Sequence, residues 1–189
     1  MHDSNNVADS AIQTKPLKVG DAIPDALVFD SSGNKTSMHQ IIKGKTILIF
    51  YRGGWCPYCN TQLRDLAKSA PRLAELGYKI VGISTDSVTG AEKTSLKYDE
   101  AYTIYSDSLM HAAKAFGIAF RVDEKTLKRY ALIGINLEKA SGETHHLLPV
   151  PSVFITDSSL VIHYVYSNPN YKIRLKGKEL MELAEKSTQ

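Results

Sequence analysis

The sequence predicts an α/β sandwich with parallel strands on one side of the sheet and an antiparallel hairpin on the other. The continuous apolar run Thr46–Tyr51 suits a strand buried on both faces, and apolar residues at helical spacing follow it. A second buried run, Lys79–Ser84, comes after that helix, and the strand–helix–strand order implies a right-handed parallel crossover. Near the C-terminus, two short apolar runs joined by residues 157–159 indicate an antiparallel hairpin.

The remaining elements can be assigned in chain order. Residues 1–18 are rich in Asn, Ser and Asp, and we expect a flexible N-terminal segment there. We expect residues 118–148 to form an insertion over the core, with a helix at 126–133 and a polar, mixed stretch at 136–146. The other predicted elements are a strand at 26–29, a turn at 31–34, a helical turn at 38–42, a helix from the cysteine turn to about Leu76 divided by Pro71, helices at 89–99, 109–116 and 178–186, and strands at 102–105, 153–156 and 161–166.

Size and charge restrict the function classes. The chain has 189 residues, and residues 19–189 are expected to form one domain with a sizeable core. The net charge of +3 comes from scattered basic residues, which argues against nucleic acid or a membrane as partner. No apolar run approaches the roughly 20 residues of a membrane helix, and the polar N-terminus has no hydrophobic signal core. For a complete chain we therefore expect a cytoplasmic protein.

Both cysteines of the chain, Cys56 and Cys59, lie where the buried strand meets the following helix. Free N–H groups and the helix dipole at such a position stabilise negative sulfur, and can lower a cysteine pKa from about 8.5 to roughly 3.5–7.5. We expect Cys56 to be exposed at the turn and Cys59, one helical turn further, to point inward. This arrangement suits dithiol–disulfide exchange, because the second thiol is close enough to expel a product from the first.

Two other roles for the cysteine pair stay open. The pair could be buried and structural, or it could hold zinc. Zinc would need two more ligands, and the sequence offers no second cysteine pair or spaced histidine pair, so we expect no metal and no cofactor. A Cys-x-x-Cys motif in a reducing compartment favours redox chemistry.

A base near the thiols is a separate question. His145 and His146 are candidates, but we expect them to be exposed loop residues.

Three neighbours of the cysteines are candidate site residues. Pro57 and Tyr58 stand between the two cysteines and are expected to tune the reduction potential. Trp55, the only tryptophan, is expected to form a wall of the substrate groove.

Several motifs together resemble the alkyl hydroperoxide reductase/thiol-specific antioxidant superfamily, within the thioredoxin fold. Val-Gly-Asp-Ala-Ile-Pro-Asp at 19–25 resembles its opening motif, and residues 44–51 resemble its first core strand. Phe-Tyr-Arg-Gly-Gly-Trp-Cys-Pro-Tyr-Cys at 50–59 is similar to a peroxiredoxin-like subgroup. The resemblance covers roughly residues 18–185 and implies a thioredoxin-like α/β/α sandwich with a mixed central sheet.

The resemblance gives two assignments of the cysteines. Aligned with peroxiredoxins, Cys59 takes the peroxidatic position, Cys56 replaces a Thr or Ser, and Arg52 replaces a Pro. Pro151 then stands ahead of a strand where that family carries Arg. Aligned with thioredoxin, Cys56 is the nucleophile, Cys59 resolves, and Pro151 is a cis-proline that faces the disulfide and positions the backbone of Val150 for a substrate. In either frame Arg52 would supply a cation near the sulfur.

The resemblance therefore implies a peroxiredoxin-like antioxidant enzyme, a thiol–disulfide oxidoreductase that cycles Cys56 and Cys59. A thiol such as thioredoxin or glutathione would be the reductant, and a disulfide or a peroxide would be the substrate. One alternative is a thiol peroxidase in which Cys59 becomes a sulfenic acid and Cys56 resolves it. The second is a non-catalytic binding module on the same fold. A homodimer is a further expectation.

Overall fold

The computed structural model describes residues 7–98 and 101–186. A short 3-10 helix at Ala11–Gln13 precedes the main elements. The strands are β1 (Leu27–Phe29), β2 (Lys35–Ser37), β3 (Thr46–Tyr51), β4 (Lys79–Ser84), β5 (Thr103–Ser106), β6 (Ala119–Arg121), β7 (Leu147–Pro149), β8 (Ser152–Thr156) and β9 (Ile162–Ser167). The helices are α1 (Met38–Ile41), α2 (Pro57–Ala67), α3 (Ala70–Glu75), α4 (Val88–Lys97), α5 (His111–Ala115), α6 (Glu124–Leu132), α7 (Leu137–Ser141) and α8 (Gly177–Lys186).

A mixed sheet of seven strands forms the centre of the fold, in the order β2-β1-β5-β4-β3-β8-β9. Strands β3, β4 and β5 run parallel, which confirms that the predicted strand–helix–strand connection joins parallel strands. Strand β8 runs antiparallel to β3, and β9 pairs antiparallel with β8, which confirms the predicted hairpin. Strand β3 is thus flanked on both sides, and all six of its residues are buried.

Helices cover both faces of this sheet, so the expected α/β/α sandwich is confirmed. Alternate side chains of β3 enter opposite cores: Leu48 and Phe50 pack with α1 and α5. Ile47, Ile49 and Tyr51 pack with α2, α3, α4 and α8, in the core that also contains both cysteines. Cys56 and Cys59 therefore lie on the face of the sheet that α2, α3, α4 and α8 cover.

The predicted long helix is divided, as expected, into α2 and α3. The break falls at residues 68–69, ahead of Pro71 and not at it. Proline lacks an N–H group, and the first turn of a helix is where that group has no intrahelical partner, so Pro71 fits the start of α3. Residues 118–148 contain β6, α6 and α7 and run into β7, which pairs with β6 as a separate small sheet.

The described part of the N-terminal segment, which the sequence predicts to be flexible, is hydrogen-bonded to the insertion and to the residues just before it. Ala8 donates to the carbonyl of Ala119 at 3.0 Å and accepts from Arg121 at 2.9 Å. Lys15 and Leu17 bond to the carbonyls of residues 117 and 116. Residues 8–17 thus bond at three positions to β6 and to the residues just before it, while residues 1–6 lie outside the described part. Within the described ranges, no helix is long and apolar enough to cross a bilayer.

Candidate active site

The cysteine turn connects β3 to α2. Strand β3 ends at Tyr51, and Cys56 is the residue that caps the N-terminus of α2, with Pro57 in the first helical position. The turn closes through a hydrogen bond from the Cys56 N–H to the carbonyl of Gly53 at 3.1 Å. Gly53 has φ near +150°, a conformation that glycine tolerates best. The sulfur of Cys56 is therefore placed at a helix N-terminus, as the sequence predicted.

Both cysteines are free thiols, and both are buried. Cys59 points into the core as expected, with no exposed surface, whereas Cys56 is only 1% exposed. The expectation that Cys56 is exposed at the turn is therefore wrong. It fails because the turn folds Trp55 back against the apolar cluster that contains the two cysteines.

The two thiols have opposite acid–base properties. A hydrogen bond from the Cys59 thiol, helped by the charges of Arg52 and Arg174 and opposed by burial, lowers the pKa of Cys56 to about 6. Burial, followed by the hydrogen bond to Cys56 and its negative charge, raises the pKa of Cys59 well above its usual value. At neutral pH Cys56 therefore carries the charge and Cys59 the proton.

Arg52 is a buried cation whose charge favours this thiolate. Its side chain is 3% exposed, and its guanidinium lies 4.3 Å from the ring centre of Tyr171 and 5.1 Å from that of Trp55. One guanidinium nitrogen donates to the hydroxyl of Tyr130, whereas Nε has no partner. In the part of the chain that the structure describes, no carboxylate lies within 4.0 Å of Arg52. A buried charge without a partner is costly, and the Cys56 thiolate compensates it.

Arg174 is a site residue that sequence reasoning missed. Its Nη2 lies 3.4 Å from the Cys59 sulfur, and its Nη1 donates to Gln62 Oε1 at 2.9 Å. Its Nε donates to the carbonyl of Tyr171 at 2.6 Å, which fixes the direction of the side chain. Arg174 lies in the segment before α8, 115 residues after Cys59 along the chain, and no motif surrounds it. The one local signal is the regular recurrence of basic residues from position 172 onward.

A buried carboxyl group, that of Asp86, holds the other side of the turn. It accepts a hydrogen bond from the Gly54 N–H at 2.7 Å and one from the Ser84 hydroxyl at 3.1 Å. Burial raises the pKa of Asp86 to about 6. The carboxyl group fixes the glycine pair of the turn, and hence the path of the chain into Cys56.

The predicted cis-proline is absent. No peptide bond between described residues is cis, so the bond from Val150 to Pro151 is trans. Pairing of Phe50 with Ser152 still places Pro151 beside the end of β3. The Val150 N–H donates to the carbonyl of Ile118 at 2.8 Å, so this donor is used inside the protein and does not face a substrate. The insertion supplies that partner, and it could not be foreseen from the local sequence.

The histidine pair has partners of its own away from the cysteines. His145 Nε2 lies 2.7 Å from the carbonyl of Ser108, and burial lowers the pKa of this half-buried histidine. His146 pairs with Glu138 at 2.8 Å. Their contacts give no support to a role as base for the thiols.

Two clefts flank the cysteine turn. One, of about 640 Å³, lies on the Trp55 side and is bounded by Asp86 and by residues of α4 and α7. The other, of about 500 Å³, lies on the Tyr58 side and is bounded by Gln62 and Arg174. Trp55 therefore forms a wall of a cleft, while Tyr58, which is 42% exposed, packs edge-on against Tyr171.

Known proteins are similar to this chain in sequence and in fold. The sequence model of the AhpC/TSA family matches residues 19–165. The 1-Cys peroxiredoxin PER1 of Hordeum vulgare is 36% identical over 155 residues, which cover 82% of this chain and 66% of PER1. The thiol-disulfide oxidoreductase ResA of Bacillus cereus is 25% identical over 103 residues, 54% of this chain and 59% of ResA. The chain thus spans less than two thirds of the length of these curated relatives.

Solved structures give the same fold. Peroxidoxin BcpB from Mycobacterium tuberculosis superimposes with a TM-score of 0.65 at 21% identity, covering 91% of this chain and 94% of that one. The predicted thioredoxin-like, peroxiredoxin-like architecture is therefore confirmed.

Proposed function

Because the chain belongs to the AhpC/TSA family of peroxiredoxin-like thiol redox enzymes, we propose that it is a thiol–disulfide redox enzyme that cycles Cys56 and Cys59 between dithiol and disulfide. The observation that carries this proposal is that the two thiols have opposite pKa shifts. The pKa of Cys56 is lowered to about 6, whereas that of Cys59 is raised, so one sulfur is a nucleophile and the other a protonated reserve.

The reaction begins at the Cys56 thiolate. It attacks one sulfur of a substrate disulfide, forms a mixed disulfide and expels the other substrate sulfur as a thiolate. That thiolate takes up a proton, and Cys59, after losing its own proton, attacks the Cys56 sulfur. The Cys56–Cys59 disulfide closes and the second substrate thiol leaves. Two electrons pass from the protein to the substrate, and Arg52 and Arg174 stabilise the charge on sulfur at both stages.

An external thiol must then restore the dithiol. Thioredoxin and glutathione are the reductant classes that we propose, and a reducing compartment such as the cytoplasm would supply either. A homodimer stays a prediction. The burial of both sulfurs means that the turn or its cover must open to admit either substrate or reductant.

Trapping variants test the order of events. In a Cys59→Ser variant, the mixed disulfide on Cys56 has no resolving thiol, so a disulfide substrate should accumulate as an adduct visible by mass. Cys56→Ser should react with the same disulfide about 100-fold more slowly at neutral pH, because its remaining thiol is protonated. Equal rates for the two variants would contradict the assignment of Cys56 as the nucleophile.

A thiol peroxidase centred on Cys59 is the second candidate. Two observations favour it: Cys59 takes the peroxidatic position in the peroxiredoxin alignment, and Arg174 Nη2 lies 3.4 Å from its sulfur. In that reaction the Cys59 thiolate attacks a peroxide, the alcohol or water leaves, and the sulfenic acid condenses with Cys56 to release water. Stoichiometric peroxide with a sulfenate trap separates the two candidates. Fast labelling of Cys59 in the Cys56→Ser variant supports the peroxidase. Slow labelling of that variant, together with a mixed disulfide trapped on Cys56 in Cys59→Ser, supports the first proposal.

A further inference from the structure

The cleft on the Tyr58 side of α2 is strongly basic. It has a volume of about 500 Å³, within the range that holds small ligands. Five of its ten lining residues are cations, and they come from α2, its C-terminal end and the segment that leads into α8. They are Arg64, Lys68, Lys172, Arg174 and Lys176.

These cations lack acidic partners. None of the five has a carboxylate within 4.0 Å among residues 7–98 and 101–186. The acid that lines the cleft, Asp65, accepts a hydrogen bond from the Gly177 N–H at 2.8 Å and so holds the start of α8. With five cations and one acid in its lining, the cleft carries a net positive charge, which favours a ligand that brings negative charge.

The same cleft reaches the redox pair. Arg174 lines the cleft and contacts the Cys59 sulfur, and Gln62, which also lines it, accepts a hydrogen bond from Arg174. Tyr58, which stands between the two cysteines, contributes an exposed aromatic wall. A ligand held by the lysines at the outer end therefore lies beside the cysteine turn at the inner end.

We propose that this basic cleft binds the reductant of the disulfide, and that the reductant is a small anionic thiol of the glutathione class, a peptide thiol with two carboxylates. The proposal rests on the proposed function, since it names the thiol that completes the cycle. The carboxylates lie against Lys68, Lys172 and Lys176, and the thiol faces the turn.

The reduction conserves atoms and electrons. The thiolate of one reductant molecule attacks the Cys59 sulfur, the Cys56–Cys59 bond breaks, and Cys56 leaves as a thiolate. Cys56 is the better leaving group, because its pKa is the lower of the two. A second reductant thiolate attacks the sulfur of the bound reductant, which releases the reductant disulfide, and Cys59 takes up a proton. Two thiols thus supply two electrons.

Charge discrimination tests the proposal. The disulfide form is prepared with a mild oxidant and reduced with glutathione, with glutathione diethyl ester, which lacks both carboxylates, or with neutral dithiothreitol. Each rate constant is corrected for the thiolate fraction and divided by the dithiothreitol rate of the same variant, so changes in the reactivity of the disulfide itself cancel. In the wild type, glutathione should exceed its ester by about tenfold at low salt, and the ratio should fall as salt is added.

Two triple variants locate the effect. Lys68→Gln, Lys172→Gln and Lys176→Gln together should bring the ratio of glutathione to ester close to one. The matched control is Lys93→Gln, Lys97→Gln and Lys139→Gln, which removes three lysines from the cleft on the Trp55 side and should leave the ratio unchanged. Circular dichroism verifies that both variants are folded.

Several outcomes would overturn the proposal. A wild-type ratio near one excludes recognition of the carboxylates, and loss of the ratio in the control triple places the reductant in the other cleft. Salt sensitivity seen only with an acidic reductase protein, and with no small thiol, assigns the basic surface to a protein partner. If the disulfide never forms, the proposed function fails instead. The cleft is then tested by titrating reduced protein with glutathione sulfonate, which should bind the wild type and not the Lys68, Lys172 and Lys176 triple.

Discussion

At the scale of single residues, the site depends on how Arg52 is neutralised. A guanidinium that is 3% exposed and has no carboxylate within 4.0 Å among the described residues is costly unless another anion is present. The Cys56 thiolate supplies that anion, and aromatic rings at 4.3–5.5 Å from the guanidinium add cation–π stabilisation. Arg52 therefore stabilises the reactive form of Cys56, and the thiolate in turn stabilises the buried arginine.

Replacing Arg52 by Met should raise the pKa of Cys56 by about one unit, because an opposite charge nearby favours the thiolate. The pH dependence of alkylation in a Cys59→Ser background measures this pKa at a single sulfur. Arg52→Lys is the matched control: it keeps the charge and should preserve most of the shift. If Met and Lys variants give the same pKa, the charge of Arg52 plays no part.

At the scale of elements, the β3–α2 turn determines where the sulfur lies. A side chain on Gly53 would collide with Trp55 Nε1 and would approach Asp86 Oδ1 to 2.6 Å. Because Gly53 has no side chain, the indole of Trp55 and the carboxyl group of Asp86 can both pack against the turn.

Gly53→Ala should therefore destabilise the fold by about 1–3 kcal/mol and slow substrate attack at Cys56, since Trp55 and Asp86 must move. Gly77→Ala is the control, because Gly77 also has a positive φ, +84°, but a Cβ there meets nothing within 4 Å. It should cost about 1 kcal/mol for backbone strain alone and leave thiol reactivity unchanged. Chemical denaturation and alkylation rates measure the two effects. Equal loss of reactivity in both variants would contradict the role of the close approach at Gly53.

The sequence predicts the β3–α2 turn well, because the residues that form it are close together along the chain. The apolar run of β3, the Cys-x-x-Cys motif and the helix after it lie within 22 residues, so the sequence indicates the turn, the helix N-terminus and the inward direction of Cys59. The contacts that cover the turn come from far along the chain, Tyr130 from the insertion and Arg174 from the segment before α8. Burial of Cys56 and the second cation were therefore beyond local sequence reasoning.

The proline prediction failed for a related reason. A single motif cannot reveal that the backbone N–H ahead of Pro151 is bonded to residue 118 in the insertion. The Val150 N–H is used in a contact between two segments, and the pattern along one segment carries no information about that contact.

At the scale of the whole molecule, the free energy of unfolding depends on pH through buried ionisable groups that act in opposite directions. Burial raises the pKa of Asp86 to about 6 and that of Asp107 to about 7. The folded state therefore holds these protons more tightly than the unfolded chain, whose value is 3.8, and the stability they contribute is lost as pH rises through 6 to 7. Cys56 acts in the other direction. Its folded pKa of about 6 lies below its usual 9.0, so its contribution is present above pH 9 and is lost as pH falls through 6.

The contribution of the Cys56 thiolate to stability can be isolated by comparing the wild type with a variant that lacks this thiol. We expect the free energy of unfolding of the reduced wild type, minus that of reduced Cys56→Ser, to increase by about 1–3 kcal/mol between pH 6 and pH 9. The two aspartates are common to both proteins and cancel, and the raised pKa of Cys59 begins to lower stability only as pH approaches its usual value of 9.0, at the upper end of this window. Urea unfolding under reductant at several pH values measures the difference. Cys59→Ala is the control: it removes the hydrogen-bond donor that lowers the pKa of Cys56 most, so its difference from Cys56→Ser should show a smaller slope. A wild-type difference that does not change with pH would mean that the fold gains nothing from the thiolate, and that Arg52 and Arg174 do not stabilise the charge on Cys56.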